Sequence, residues 1–416
     1  MTPRIFITGA GVVSSIGAGV EDFERALYAG KSGIGPRQLF GPVFGEEAVT
    51  AEVRDFSPQP WLGNKGIRVL DRIARLVCVA GHMALCGAGL SRSDATASDP
   101  EMGLVCGTML GSVHSITSFD WSGLVDGTNY VNPMDFPNTV INSAAGQAAI
   151  KFKLGGVNST ICAGGASGLY ALHYAAEFLR LGRARILLSG GAEELSEESF
   201  LGLRKNGLTS PSGSLHPFDS KRDGTISGEG AALLVLESAD TARARGAQPW
   251  AEIVGFASAQ DAHSTHAFDV RAHAATEAIQ MAIESAGIEP AQIACIVSSA
   301  SGSPAGDEME ARALGNVFGA RLAEIPVCAP KAALGETLGA AGALGALIAT
   351  LALRRQCVPP TPGAGTADGI RIADREQAFQ GDYALVNAFS CDGNNAAMVL
   401  RRASEPRALV PSGAEG

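Results

Sequence analysis

The sequence predicts an α/β protein with buried sheets, and two observations lead to this class. Continuous apolar runs, among them Met102–Gly107, Arg185–Gly190 and Ala231–Glu237, are typical of strands covered on both faces. Segments with helical spacing of apolar residues lie between such runs, for example Lys65–Leu85. Strands that alternate with helices along the chain are the pattern of an α/β fold.

The remaining elements follow in order along the chain. In the first part we predict a strand at Arg4–Ala10, a helix from Val20 to Ala29, an irregular region at Ser112–Val140 and a helix at Gly164–Leu181. In the second part we predict strands at Trp250–Ala257, Cys295–Ser299, Tyr383–Asn387 and Ala396–Leu400, and helices at Thr276–Ala286, Glu308–Phe318 and Thr337–Arg355.

The chain of 416 residues is longer than one compact domain usually is, so two domains or a duplicated core are expected. Small and polar residues at Ser238–Pro249 mark the link, and each part holds a strand that leads into a helix rich in glycine and alanine. We predict one half at residues 1–247 with Cys162, a second at 248–404, and a disordered tail at 405–416.

Composition excludes several classes of function. Hydrophobic residues are 46% and charged residues 18% of the chain, which suits a large core and an extensive partner interface. A net charge of −10 without a long basic run argues against nucleic-acid binding. The eight cysteines show no metal-ligand spacing or disulfide framework, and no apolar run reaches membrane-spanning length. We therefore expect a cytoplasmic protein without a metal or a membrane contact.

Cys162 is the strongest candidate nucleophile. It precedes Gly164 and Gly165 and an apolar helical stretch, so we predict a cysteine at the first turn of a buried helix. The positive end of a helix dipole stabilises a thiolate. The alternative is a small core residue at a tight contact between helix and strand, since buried free cysteine is common.

Six motifs, in this order, carry a resemblance to the β-ketoacyl-ACP synthases, the condensing enzymes of fatty-acid and type II polyketide assembly. They are Ile5–Gly17 (IFITGAGVVSSIG), Ser159–Gly168 (STICAGGASG), His216–Ala232 (HPFDSKRDGTISGEGAA), Ser303–Asp307 (SPAGD), Lys331–Gly342 (KAALGETLGAAG) and Asn387–Asn395 (NAFSCDGNN). The resemblance covers nearly the whole chain and implies a thiolase-like duplicated five-layer α/β/α/β/α fold. It also implies a Cys162 nucleophile.

The sequence departs from this family at two catalytic positions. Two histidines of the family donate hydrogen bonds to the thioester enolate, and here Ser299 and Glu336 take their places; no histidine follows His273. A carboxylate beside Cys162 would raise the thiol pKa and repel malonate. Loss of one oxyanion donor costs about 3–4 kcal/mol, so we predict that the chain alone does not carry out decarboxylative condensation.

The oxyanion hole is altered as well. The resemblance assigns it to the backbone N–H groups of Cys162 and Cys391, where Cys391 replaces the family's gating Phe. Asp392 replaces a family glycine, so we expect backbone strain there.

The resemblance implies further roles. Lys331 and Glu310 stand where the family keeps a buried ion pair, although such pairs are as often architectural. Ser301 and Ser303 match hydroxyls that contact phosphopantetheine, or they hydrogen-bond within a local turn. Lys65 and Arg68 open a predicted helix at the position where relatives present basic residues to acidic carrier proteins, or they lie on a solvated helix face.

A relocated base is a further possibility. His266, and next to it His263, would supply one near Cys162, although nothing in the spacing distinguishes them from surface histidines.

Three functions remain open. The first is a non-condensing partner subunit that resembles the chain-length factors and pairs with a ketosynthase that has the complete Cys–His–His set. The second is an acyltransferase or thioesterase that uses Cys162 with Glu336 as acid/base. The third, ranked last, is a condensing enzyme with a relocated base. All three imply substrates on the phosphopantetheine of an acyl carrier protein, no other cofactor, and a homodimer or heterodimer.

Overall fold

The computed structural model describes residues 3–41, 48–92, 95–263, 266–365, 367 and 369–403. Its strands are β1 Ile5–Ser14, β2 Gly17–Ala18, β3 Ile34–Pro36, β4 Val49–Ala51, β5 Met102–Gly107, β6 Asn158–Ile161, β7 Ile186–Glu193, β8 Gly230–Ser238, β9 Ala251–Gln260, β10 Ile293–Val297, β11 Val327–Cys328, β12 Cys357–Val358, β13 Gln377–Ala378, β14 Tyr383–Phe389 and β15 Asn394–Arg402. Its α-helices are α1 Val20–Tyr28, α2 Gln59–Leu62, α3 Arg72–Gly87, α4 Val113–Val125, α5 Ser143–Phe152, α6 Ser167–Arg180, α7 Glu197–Lys205, α8 Ala239–Ala244, α9 His273–Ser285, α10 Pro304–Phe318, α11 Lys331–Leu334 and α12 Ala341–Arg355.

The strand order of the main sheet repeats one pattern. The order is β11-β10-β14-β15-β9-β1-β8-β7-β5-β6. From β1 outward the pairings run antiparallel, antiparallel, parallel, parallel, and from β9 outward they run the same way. The two runs meet where Ile5–Ile7 pair with Ala251–Ile253. The weak internal repeat in the sequence therefore corresponds to a duplicated strand topology.

Three apolar clusters define the layers. Buried residues of α6 and α12 form one cluster with residues of both strand runs. A second cluster joins α3 and α5 to the opposite face of the first run, and a third joins α9 and α10 to the opposite face of the second run. The layers are therefore α3 with α5, the first strand run, α6 with α12, the second strand run, and α9 with α10, stacked in that order. This confirms the predicted α/β class and its five-layer arrangement.

Small residues allow the two central helices to approach closely. A Cβ atom at Gly168 would lie 2.8 Å from the backbone nitrogen of Ala343 and 2.9 Å from the carbonyl oxygen of Gly339. Every residue of α12 from Gly342 to Leu353 is buried. One described segment, Leu338–Arg355, is long and apolar enough to cross a membrane, but 83% of it is buried inside the protein. The prediction that no apolar run reaches that length is therefore wrong, and the segment is a core helix.

Several predicted boundaries are corrected. The region Ser112–Val140 is not wholly irregular, because it contains α4, whose residues all stay at least partly exposed. The helix predicted at Lys65–Leu85 begins only at Arg72, where the Asp71 side chain caps it by accepting from the Ala74 N–H. The predicted tail, 405–416, lies outside the described residues, and the division at residue 247 stays a prediction.

Candidate functional site

Cys162 lies in the loop between β6 and α6. The helix starts only at Ser167, so the prediction that Cys162 occupies its first turn is wrong. The reason is local: Gly164 adopts a φ of 56°, and the Ser167 hydroxyl accepts from the Ala163 N–H at 2.9 Å, which holds a turn in front of the helix. The exposed Cys162 thiol donates to the Met109 carbonyl at 3.3 Å.

The surroundings of Cys162 disfavour a thiolate. Burial, the carboxylate of Glu193 and the carboxylate of Asp392 raise the pKa of the Cys162 thiol, against the Gly164 N–H, which lowers it. The negative neighbours are therefore Glu193 and Asp392. The prediction that Glu336 raises the thiol pKa is wrong, since Glu336 is not among the groups that shift it.

Glu193 is the residue that the sequence analysis missed. It is fully buried and accepts hydrogen bonds from the backbone N–H groups of Met109, Leu110, Gly111 and Gly339, and from the Thr108 hydroxyl. Burial raises its pKa to about 7. Glu193 thus fixes the loop whose Met109 carbonyl accepts the hydrogen bond of the Cys162 thiol. It also joins this loop to the turn after Glu336. Its only sequence signal is an acidic residue at the end of an apolar strand.

Ser299 is buried and its hydroxyl is already engaged. The Phe389 N–H donates to its oxygen at 2.9 Å, and the hydroxyl donates to the Phe389 carbonyl at 3.3 Å. The Lys331 ammonium lies 3.5 Å from the same oxygen. A side chain that joins the chain to itself in this way does not present a donor to a substrate.

Glu336 forms an ion pair with Lys331. Glu336 Oε2 lies 2.7 Å from Lys331 Nζ, and Oε1 accepts from the Leu338 N–H at 3.0 Å. Both side chains are nearly buried, with exposed fractions of 12% and 10%. The predicted pair between Lys331 and Glu310 is therefore wrong, because the Lys331 ammonium forms its ion pair with the carboxylate of Glu336.

Glu310 is instead a buried carboxyl without a salt bridge in the described chain. Its Oε1 accepts from the Ser299 N–H at 2.9 Å and from Asn387 Nδ2 at 2.8 Å. Burial raises its pKa to about 7, against these hydrogen bonds. It therefore acts on the site by positioning Ser299.

The loop with Cys391 and Asp392 packs on the Cys162 loop. The Ser390 hydroxyl accepts from the Gly165 N–H at 3.0 Å, and the Asp392 carboxylate lies against Gly164. Asp392 is not among the residues with positive φ, and Gly393 takes the left-handed conformation with a φ of 88°. The predicted strain at Asp392 is thus wrong. The oxyanion pairing of the Cys162 and Cys391 amides stays a prediction.

A small pocket of about 40 Å³ joins several predicted site residues. Ser301, Ser303, Glu336 and Cys391 line it, together with Met109, Gly165, Leu203, Leu208, Thr225, Phe268, Leu338, Phe389 and Ser390. Ser303 also caps α10 by accepting from the Gly306 N–H. Burial, Asp392 and Glu336 raise the pKa of the Cys391 thiol to about 11.

Other candidates lie elsewhere. Lys65 and Arg68 are exposed in the loop before α3, so they do not open that helix. His263 and His266 are exposed, and neither is among the groups that shift the pKa of Cys162. Within the described part of the chain, no three His, Cys, Asp or Glu side chains are grouped to hold a metal ion.

Comparison with known proteins identifies the family. Residues 2–242 match the N-terminal domain of the β-ketoacyl synthases, and residues 250–364 match their C-terminal domain. The 3-oxoacyl-[acyl-carrier-protein] synthase 2 of Coxiella burnetii is 33% identical over 410 residues, which cover 96% of this chain and 98% of that protein.

Two solved structures support the same assignment. The ishigamide ketosynthase/chain length factor superposes with a TM-score of 0.89 at 30% identity and covers 97% of this chain and 100% of the matched chain. A type II polyketide acyl-carrier protein in complex with its ketosynthase gives a TM-score of 0.85 at 26% identity, with the same coverage of 97% and 100%. With its thiolase-like fold, this chain belongs to the β-ketoacyl synthase family.

Proposed function

We propose that this chain is a non-condensing subunit, similar to a chain-length factor, which pairs with a complete Cys–His–His ketosynthase in type II polyketide or fatty-acid assembly. One observation carries the proposal. The two positions that hold histidines in condensing relatives hold Ser299 and Glu336, whose polar atoms are engaged by Phe389, Lys331 and Leu338.

The chemistry of condensation requires donors at those positions. Loss of carbon dioxide from a malonyl thioester leaves an enolate, whose oxygen needs positioned hydrogen-bond donors. Ser299 donates to a backbone carbonyl, and Glu336 presents a carboxylate that is held by Lys331. The raised pKa of Cys162 also disfavours attack on an acyl thioester at neutral pH.

An exposed apolar surface suits a partner ketosynthase. The residues of α4 and the segment after it expose large apolar side chains: Trp121 65%, Leu124 80%, Val125 61%, Tyr130 79%, Met134 65% and Phe136 59%. Large apolar side chains that are exposed together in one segment are typical of interaction sites. In addition, β6 ends the sheet order, so one side of it is open to a strand of another subunit. The solved ishigamide relative is itself a ketosynthase/chain length factor.

The small pocket is the proposed place where the chain meets the acyl group of a carrier protein. Ser301 and Ser303 line it beside Cys391 and Glu336, where a phosphopantetheine arm would bring an acyl chain. Lys65 and Arg68, both exposed, are the proposed contacts to the acidic carrier protein. No other cofactor is required by this proposal.

The alternative is acyl transfer or thioester hydrolysis by Cys162, with Glu336 as acid/base. The exposure of the Cys162 thiol is the observation that keeps it open. Against it, the groups that act on the Cys162 thiol are Glu193, Asp392 and Gly164, while Glu336 is bound to Lys331.

The decisive experiment measures 3-oxoacyl-ACP formation from acyl-ACP and malonyl-ACP. It compares this chain alone, a Cys–His–His ketosynthase from the same organism alone, and the two proteins together. We expect product only with the ketosynthase present, more product from the complex, and full activity when this chain carries Cys162→Ala. Product from the chain alone would overturn the proposal. If Cys162 instead becomes acylated and turns over, and Cys162→Ala abolishes that turnover, the acyl-transfer function is correct.

A further inference from the structure

We infer that Glu336 is a specificity residue that excludes carboxylate-bearing acyl groups by occupying the Lys331 ammonium to which such a group would bind. This inference deepens the proposed function, and it rests on the pocket receiving an acyl chain on phosphopantetheine. It concerns which acyl groups enter, whereas the proposed function concerns whether condensation takes place.

Glu336 lines the pocket, whereas its ion-pair partner Lys331 does not. Glu336 lines the pocket together with Ser301 and Cys391. Lys331 lines a separate cavity of about 10 Å³, together with Ser299. The Glu336 carboxylate lies 2.7 Å from the Lys331 ammonium, so a group that enters the pocket contacts the residue that already pairs with this ammonium.

The Glu336 side chain is fixed in that place from two sides. One oxygen accepts from the Leu338 N–H and the other from Lys331. Leu338 itself has a φ of 45°, a conformation that a leucine keeps only when its surroundings hold it. Because the carboxylate also bonds to this turn, it is part of the pocket wall and cannot swing away without releasing both partners.

The charges at this end of the pocket then determine whether an acyl group with a carboxylate or one without a charge binds more tightly. The Lys331 charge is already neutralised by Glu336, and the nearby Asp392 adds a negative charge that acts on Cys391 in the same pocket wall. A malonyl group brings a second carboxylate into this field, while a butyryl group of similar size brings none. Removing the charge of Glu336 would leave the ammonium available to pair with the malonyl carboxylate.

The test measures binding of two non-hydrolysable pantetheine analogues, malonyl and butyryl oxa(dethia)pantetheine, by calorimetry on the chain in complex with its ketosynthase. That ketosynthase carries an alanine in place of its own cysteine and is also titrated alone for subtraction. We expect wild type to bind the butyryl analogue at least tenfold more tightly than the malonyl analogue. Glu336→Gln keeps the acceptor for Leu338 and should reduce this ratio at least tenfold by tightening malonyl binding alone.

The double variant Lys331→Met with Glu336→Gln separates charge pairing from a simple change of shape. It lacks the ammonium, so we expect its malonyl affinity to fall back at least fivefold from that of Glu336→Gln. An unchanged ratio in Glu336→Gln, an equal gain for both analogues, or no binding of either analogue to any variant would overturn the inference. Formation of 3-oxoacyl-ACP by the chain alone would overturn the proposed function. It would not change the ratios of butyryl to malonyl affinity, which test the inference separately.

Discussion

The segments between β6 and α6 and between β11 and α12 occupy the same position in the two repeats of the fold. In the first, a short loop carries Cys162, whose exposed thiol donates to a backbone carbonyl. In the second, α11 and the turn after it carry Lys331 and Glu336, which form a nearly buried ion pair. The duplication keeps the strand order, while side chains decide what each segment does.

The electrostatics of the two segments also differ. The first lies beside two carboxyl groups, Glu193 and Asp392, which both raise the pKa of the Cys162 thiol. In the second, the negative charge of Glu336 is offset by Lys331. A condensing site needs an anionic sulfur on one side and donors on the other. Here the first segment disfavours the anion and the side chains of the second are engaged within the chain, so both differences support the proposed loss of condensation.

The largest expected effect comes from breaking the close contact where α6 begins, against Gly339 and the start of α12. Gly168→Val would place a side chain against the backbone of Gly339 and Ala343, which cannot move without displacing α12. We expect a loss of about 4 kcal/mol in the free energy of unfolding, or failure to fold. Urea denaturation followed by circular dichroism measures this loss.

The matched control is Gly202→Ala. Gly202 lies inside α7, and a Cβ there would meet no atom within 4 Å. We expect a gain of about 0.5–1 kcal/mol from helix propensity. Equal losses in both variants would contradict the close contact of the central helices.

The ion pair of the second segment gives the next largest effect. Lys331→Met leaves the Glu336 carboxylate nearly buried without its cation, so we expect a loss of about 3 kcal/mol. The double variant with Glu336→Gln should recover much of this loss, because neither charge then remains. Chemical denaturation of the four forms in a double-mutant cycle measures the coupling. Additive losses would show that the two side chains do not act on one another.

The sequence predicted the fold far better than it predicted these pairings. Apolar runs located eight of the ten strands in the main sheet order, all except β6 and β11, together with the two central helices, because buried elements must be apolar. The pairing of Lys331 with Glu336 rather than Glu310 depends on a turn held at Leu338, which no local pattern shows. The role of Glu193 depends on backbone donors from two segments that are distant in the sequence, and the spacing of residues does not predict such contacts.

The free energy of unfolding should depend on pH through Glu310, the buried carboxyl that accepts from the Ser299 N–H. Burial raises the pKa of Glu310 from an ordinary 4.5 to about 7, and its Oε2 is buried without a hydrogen-bond partner among the described residues. Between these pH values the native protein binds a proton that the unfolded chain has released. This contribution to stability is therefore complete below pH 4.5 and is lost as the pH rises through about 7.

The variant Glu310→Gln isolates this contribution. It should remove on the order of 2 kcal/mol from the fall in stability between about pH 5 and pH 8. Glu308→Gln, on the same helix and with a side chain 48% exposed, is the control and should leave the slope as it is in wild type. Denaturation midpoints at four pH values suffice, and an unaltered slope in Glu310→Gln would refute the raised pKa.

The smallest expected effect concerns the electrostatic field at the Cys162 sulfur. It tests directly whether carboxylates of the first or the second segment act on this thiol. Because the thiol pKa is raised, alkylation of Cys162 by iodoacetamide should be slow at pH 7 and should increase as the pH rises to 9. Asp392→Asn removes one negative neighbour and should increase the rate at pH 8 about two- to threefold, the effect of about 0.5 kcal/mol on a partly solvated charge. Peptide mass spectrometry resolves the Cys162 adduct, with the exposed Cys86 as an internal reference.

The variant Glu336→Gln completes this comparison. Its carboxylate acts on Cys391 and is paired with Lys331, so its removal should leave the Cys162 rate within the error of wild type. An acceleration equal to that of Asp392→Asn would mean that Glu336 does act on the sulfur. The proposed loss of condensation would then have one cause, a carboxylate facing the nucleophile, instead of two separate causes.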